Sequence, residues 1–227
     1  MTFPRGPLKL DDCQAHGQGS GSELFVVEGD SAAAAVSRVR DPAFQAVLPM
    51  QGKPLNALKA SEKKVAGHPL FQALAEAIGF RFGDLFDLAA CRYERILLLM
   101  DPDADGIHCG VLMLMFFQRW MPALLDAGCV EIVRAPWGEV LVAGEPAPRV
   151  AFSEHELQHM ADVFSGQGAV VTRRYRGLAA IEPGVIAATC VAPDSRRTSP
   201  ISAAEAASLI GMLSGLKTHS PKTPRRR

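Results

Sequence analysis

The chain predicts an α/β fold: a mainly parallel sheet with helices on both faces, followed by a smaller C-terminal α+β extension. Three observations predict it. Runs of strand length near 23–27, 45–49, 95–100 and 130–135 are mostly apolar, and the first carries apolar residues on both faces, as a buried parallel strand requires. Segments of helical composition alternate with these runs, which is the order of a parallel sheet with crossover helices. Two of the runs end in an acidic turn that leads straight into a helix.

Residues 1–22 are rich in Gly, Pro and Ser and read as an irregular lead-in to a core over 23–137. After the first strand, Asp30 or Ser31 caps a helix that runs through the alanine repeat to about Arg40. A short strand at 45–49 precedes Gln51-Gly-Lys-Pro-Leu-Asn56, a loop by its Gly and Pro. Residues 57–90 read as helical with breaks at Gly67-His-Pro69 and Gly79. The third strand, 95–100, leads into one long helix over 107–127 that Gly128 terminates, and a fourth strand follows at 130–135. Residues 138–150 read as a connection interrupted by Gly and Pro. The rest of 138–215 is expected to hold a helix at 153–163, a strand at 169–174 and a helix at 202–213. No internal repeat is evident.

Of the 227 residues, 48% are hydrophobic, enough for one well-buried domain with appendages. Lys plus Arg and Asp plus Glu both number 24, so the chain is neutral and carries no strongly basic coat. The charge is nevertheless uneven. No acid follows Glu205, whereas Lys217, Lys222, Arg225, Arg226 and Arg227 make 216–227 a basic, flexible tail suited to phosphate backbone. The five cysteines, at 13, 91, 109, 129 and 190, form no Cys-x-x-Cys pair and read as ordinary thiols of a reducing compartment. Met-Thr-Phe-Pro-Arg lacks a signal-peptide core, and the longest apolar run, 111–117, is too short for a bilayer. The expectation is a soluble, cytoplasmic protein with no membrane partner.

The chemistry concentrates at Asp101-Pro-Asp-Ala-Asp-Gly106, directly after Ile96-Leu-Leu-Leu-Met100. Carboxylates that close raise one another's pKa unless a cation sits among them. Hard oxygen donors favour magnesium, manganese or calcium over zinc. An EF-hand loop needs a bidentate Glu at its twelfth position, where this chain has Leu112 in an apolar helix. Helix capping accounts for one of the three carboxylates, not all of them. Leu24-Phe-Val-Val-Glu28-Gly-Asp-Ser31 repeats the strand-carboxylate-turn pattern, and two strand ends bearing acids can face each other where open α/β sheets hold ligands. Metal-assisted reaction at a phosphate is the chemistry suggested.

Together the two acidic turns resemble the Toprim domain, a Rossmann-like fold. Leu10-Asp-Asp-Cys-Gln14, Glu23 through Ala32, Phe44 through Asn56, Asp101 through His108, Phe116-Phe-Gln-Arg-Trp-Met-Pro122, Arg174-Tyr-Arg-Gly-Leu178 and Arg196-Arg-Thr198 resemble, in order, motifs of the B subunits of type IIA DNA topoisomerases, the gyrase and topoisomerase IV family. The resemblance implies that Glu28, Asp101 and Asp103 hold Mg2+, which Mn2+ or Ca2+ can replace, with Asp105 as a further ligand. Lys53, Asn56 and Arg176 fall on positions that touch DNA in the family, Arg176 in place of the usual lysine. The implied partners are double-stranded DNA, an A-type subunit carrying the strand-breaking tyrosine, and a separate ATPase subunit, because no glycine-rich nucleotide loop occurs here. Tyr93 and Tyr175 are the only tyrosines, and neither is a candidate nucleophile. Ala33, Ala34, Ile107, Ala179 and Ala180 depart from the family's usual residues without removing a metal ligand. A non-catalytic regulator that binds DNA or the A subunit, and an independent nuclease, are the rival expectations.

Overall fold

The computed structural model describes residues 9–166 and 168–216. Its elements run β1 (Glu23–Glu28), α1 (Gly29–Ser37), β2 (Gln45–Met50), α2 (Glu62–Ala66), α3 (Pro69–Ile78), β3 (Arg95–Leu99), α4 (Ala104–Trp120), α5 (Pro122–Asp126) and β4 (Val130–Val133). There follow β5 (Gly138–Val142), β6 (Arg149–Ala151), α6 (Glu154–Phe164), β7 (Val170–Arg174), α7 (Pro183–Ile186), β8 (Thr198–Pro200) and α8 (Ala203–Leu216). The main sheet has the order β2-β1-β3-β4-β8, parallel except for the last pair. A second, antiparallel sheet has the order β6-β5-β7.

Strand pleating divides the core. Leu24, Val26, Leu48, Ile96 and Leu98 face a layer formed by α3, α4, α5 and α8. Phe25, Val27, Val47, Leu97 and Leu99 face α1, Leu178, Ile181 and α7 on the other side. Continuous apolar sequence in these strands is thus burial on two faces. The α/β class with a mainly parallel sheet and helices on both faces is what the sequence predicts.

Several elements differ from expectation. The single helix expected over 107–127 begins earlier, at Ala104, and breaks at Met121, because Pro122 has no N–H to continue the ladder and instead opens α5. Within 57–90 only α2, α3 and a 3-10 turn at Leu88–Ala90 are helical; Gly79, at φ 92°, closes α3 in a left-handed cap. The connection expected over 138–150 contains β5 and the start of β6. Gly138, read from sequence as a breaker, is needed there, since a Cβ would stand 2.4 Å from the Arg173 carbonyl oxygen. The edge strand β8 is not among the expected elements. Of the lead-in, residues 9–22 are irregular apart from a bridge between Asp11 and Val47, and the basic run 217–227 lies outside the described residues.

The start of β1 is tied to the segment just before β8. Glu23, fully buried, accepts from both Nη atoms of Arg196 at 2.6 Å, pairs with Arg95 at 2.7 Å and accepts from the Gln45 side-chain amide at 2.9 Å.

Candidate metal centre

Neighbouring strands β1 and β3 send their crossovers in opposite directions, α1 back toward β2 and α4 on toward β4. A crevice opens at such a switch point beyond the carboxyl ends of the strands. Glu28 ends β1 and Asp101 follows β3, so topology places both acids there.

Gly29, at φ 81°, turns the chain from strand to helix within one residue and holds Glu28 at the crevice. The Glu28 Oε1 atom faces the Cys109 thiol at 3.7 Å, and its Oε2 atom is buried with no hydrogen-bond partner among the described residues. Burial pushes the Glu28 carboxyl above its usual range; the Asp101 charge adds to this, the Cys109 thiol opposes it, Asp103 adds again, and the Asp101 backbone N–H opposes the rise.

Asp101 accepts a 2.9 Å hydrogen bond from the Leu178 backbone N–H at Oδ1. Burial raises its carboxyl pKa, the Leu178 N–H opposes the rise, and Asp103 reinforces it. Two glycines pack on this residue. A Cβ on Gly106 would stand 2.1 Å from the Asp101 carbonyl oxygen, and one on Gly177 would stand 2.9 Å from Oδ2.

Asp103 is the N-cap of α4 and accepts from the Gly106 N–H at 2.8 Å through Oδ1, leaving Oδ2 outside that bond. Asp105 sits in the first turn, exposed and paired with Lys53 at 2.7 Å, which holds the Asp105 carboxyl below its usual range. Lys53 thereby stands at the rim of the acidic crevice. Asn56 lies three residues further along the same loop, where its Oδ1 accepts from the Lys59 N–H at 3.0 Å and caps a turn. Arg176 lines a polar cavity that also includes Asp103. Sequence reasoning missed the Leu178 N–H, Gly177, Cys109, Trp137 and Arg174; only the Arg174-Tyr-Arg-Gly-Leu178 string pointed to any of them.

Asp12, Cys13 and His16 have ligand-type atoms all within 4.8 Å of one another, but this cluster is a structural hub. Arg92 reaches Asp12 Oδ2 at 2.5 Å and the Tyr93 hydroxyl donates to Oδ1 at 2.6 Å, so a guanidinium already supplies the positive charge. Among the described residues, Glu28, Asp101 and Asp103 do not form a group that meets that spacing. The donor set nonetheless fits a hard dication. It is all oxygen, one buried carboxylate oxygen has no partner, and burial with mutual repulsion pushes two of the acids upward.

Fold and crevice together define a class: residues 23–135 are a Toprim domain, the family whose profile they match. More particularly, the chain is similar to the B subunit of DNA gyrase. It is 36% identical over 216 residues to that subunit from Streptococcus pneumoniae, covering 92% of this chain and 33% of the relative. Against the subunits from Halalkalibacterium halodurans and Archaeoglobus fulgidus it is 35% identical over 190 residues, covering 84% of this chain and 29% of each relative. The chain thus spans about a third of the length of the curated relatives it matches. No described helix is long and apolar enough to cross a membrane.

Proposed function

We propose that this chain supplies the metal-binding half of the DNA cleavage and religation site of a type IIA topoisomerase, completed by an A-type subunit that brings the tyrosine. The observation that carries the reading is the meeting of Glu28 and Asp101 at the switch point, with Glu28 Oε2 buried and without a hydrogen-bond partner among the described residues. Glu28, Asp101 and Asp103 would hold Mg2+, which when bound supplies charge stabilisation to the attacking and leaving oxygens. The chain's own groups do the rest. Leu178 fixes the orientation of Asp101, and Asp103 aligns the start of α4. Lys53 and Arg176 neutralise phosphates on either side, and Glu28, its carboxyl pushed up by burial, exchanges a proton at Oε2 with the 3′ oxygen. Tyr175 donates to Glu139 Oε2 at 2.5 Å and Tyr93 donates to Asp12. Both hydroxyls are held far above their usual pKa by burial and their carboxylate partners, which supports a nucleophile from another subunit.

The test is Mg2+-dependent DNA cleavage with an A-type partner, scored as covalent protein–DNA adduct. Asp101→Ala and Glu28→Ala are expected to abolish it; unchanged cleavage in both would remove these residues from the reaction. A regulator that binds DNA or the A subunit without catalysis is the second reading, favoured by the spacing of the three carboxylates. Calorimetry separates the two, since a regulator of this kind takes up no Mg2+ at millimolar concentration.

A further inference from the structure

Helix α6 carries His155-Glu156-Leu157-Gln158-His159, an H-E-x-x-H string. On a helix that spacing sets two imidazoles on one face, one turn apart, where both can reach a single metal ion. The helix is well founded. It spans 11 residues, Ser153 caps its start, and it packs on β5, β6 and β7. Leu157 faces the sheet, since its Cδ2 would stand 3.2 Å from a Cβ on Gly138. His155 and His159 are both exposed, so their rings turn toward a shared ion without moving the core.

The two rings lie nearly parallel, 6.4 Å between centres and 11° between planes. Neither makes a hydrogen bond or ion pair among the described residues, so their nitrogens remain uncommitted. Glu156 is different. Its N–H donates to the Ser153 hydroxyl oxygen at 3.0 Å, and its Oε2 accepts from the Phe152 N–H at 2.7 Å. It closes the start of the helix as the Glu of a capping box does, and is not poised as the general base that the same string supplies in metalloproteases. Asp162, three residues beyond His159, has Oδ1 taken by the Gln158 side-chain amide at 2.9 Å. Among the described residues it forms no group with the two histidines whose ligand atoms all lie within 4.8 Å. The protein thus offers two nitrogens here and no third ligand.

We propose that His155 and His159 chelate one divalent transition-metal ion of the zinc, nickel and copper class, with water completing its shell. Imidazole suits these ions, whereas Mg2+ takes oxygen donors. The site is therefore separate in chemistry from the acidic crevice and does not rest on the function proposed above. Its effect is on α6. An ion held by both rings ties one turn of the helix to the next, and no residue of α6 is fully buried. Binding to the folded helix in preference to the unfolded chain stabilises it by mass action.

The test is calorimetric titration of the full chain with Ni2+, with Mg2+ in millimolar excess so that oxygen-donor sites are occupied, and thermal melting with and without Ni2+. The expected result is saturable uptake together with a higher Tm. His155→Ala and His159→Ala lie on an exposed face and should fold. Each removes a ligand, so each should weaken Ni2+ by at least the roughly tenfold that loss of a mere outer partner costs, and should cancel the rise in Tm. Glu156→Gln, which preserves the capping pattern, should bind Ni2+ as wild type does. His16→Ala should too, because it alters only the Asp12, Cys13 and His16 group. Absence of saturable uptake would overturn the site. So would equal affinity in wild type, His155→Ala and His159→Ala, or a loss of uptake confined to His16→Ala. Weakening by Glu156→Gln as large as that from His155→Ala would overturn a site made by the two imidazoles alone.

Discussion

The backbone N–H of Leu178 donates to Oδ1 of Asp101 at 2.9 Å, across 77 positions of sequence. One partner belongs to the turn after β3, the other to the segment that leaves β7. The candidate metal centre is therefore assembled from both sheets, and the orientation of its central acid is set by a peptide group rather than a side chain.

Gly177 has no spare room beside that acid, since a Cβ there would stand 2.9 Å from Asp101 Oδ2. Gly177→Ala should therefore turn the carboxylate and weaken Mn2+ or Mg2+ binding about tenfold, with little change in Tm. Calorimetry and thermal melting decide it together. A lower Tm at unchanged metal affinity would make Gly177 a folding residue only.

Gly106 meets backbone, not side chain: its Cβ would stand 2.1 Å from the Asp101 carbonyl oxygen, and no rotamer relieves that. Gly106→Ala should cost about 3 kcal/mol in urea unfolding. Gly110→Ala, one turn along α4, is the control. Its Cβ would meet Met100 Cγ at an ordinary 3.8 Å, so that variant should be neutral or slightly more stable.

Burial alone would raise the Asp12 carboxyl, but hydrogen bonds from Tyr93, His16 and the Cys13 N–H, with the Arg92 charge, outweigh it and hold the pKa below the ordinary aspartate value of 3.8. The native state then binds fewer protons than the unfolded chain between the two pKa values. The stabilisation is complete above the unfolded pKa and is lost as pH falls through the folded one. Asp12→Asn should lower stability by about 2 kcal/mol at pH 7. The gap from wild type should close on acidification below pH 3.8; urea titrations at several pH values check it.

Glu23 is inaccessible to solvent and is held by Arg196, Arg95 and Gln45. Glu23→Gln leaves the Arg196 guanidinium, 2% exposed, without its counter-charge, at a cost of about 3–5 kcal/mol. Chemical unfolding measures the loss. A variant as stable as wild type would show that solvent reaches Arg196.

What the sequence disclosed follows from which interactions side chains carry. Strands β1 to β3 were legible because burial on two faces leaves a nearly unbroken apolar run, as in Leu24 to Val27, and β4 because Val130, Ile132 and Val133 stand around one acid, Glu131. Glu28 and Asp101 were legible because an acid ending such a run is conspicuous. Strands β5 and β6 were hidden by Gly138, Gly144, Pro146 and Pro148, which resemble loop residues although Gly138 is there for close strand approach. Strand β8 spans three residues and forms only against β4, a non-local pairing with no local signature. The break at Met121 is set by Pro122, which helical periodicity alone does not register. The Leu178 contact could not be read, because a backbone N–H belongs to every residue except proline. The stack of Arg174 on Trp137, 4.2 Å from guanidinium to ring centre, depends on register, which the sequence does not display.

The Glu23–Arg196 pair also separates two kinds of boundary. Homology closes the domain at residue 135, but electrostatics does not. A recombinant fragment ending there would take Arg196 from Glu23, leaving Arg95 and Gln45 as its partners, and would remove the peptide group that orients Asp101. The ion-pair network of Glu23 therefore reaches as far as Arg196, and the segment that leaves the second sheet takes part in orienting Asp101.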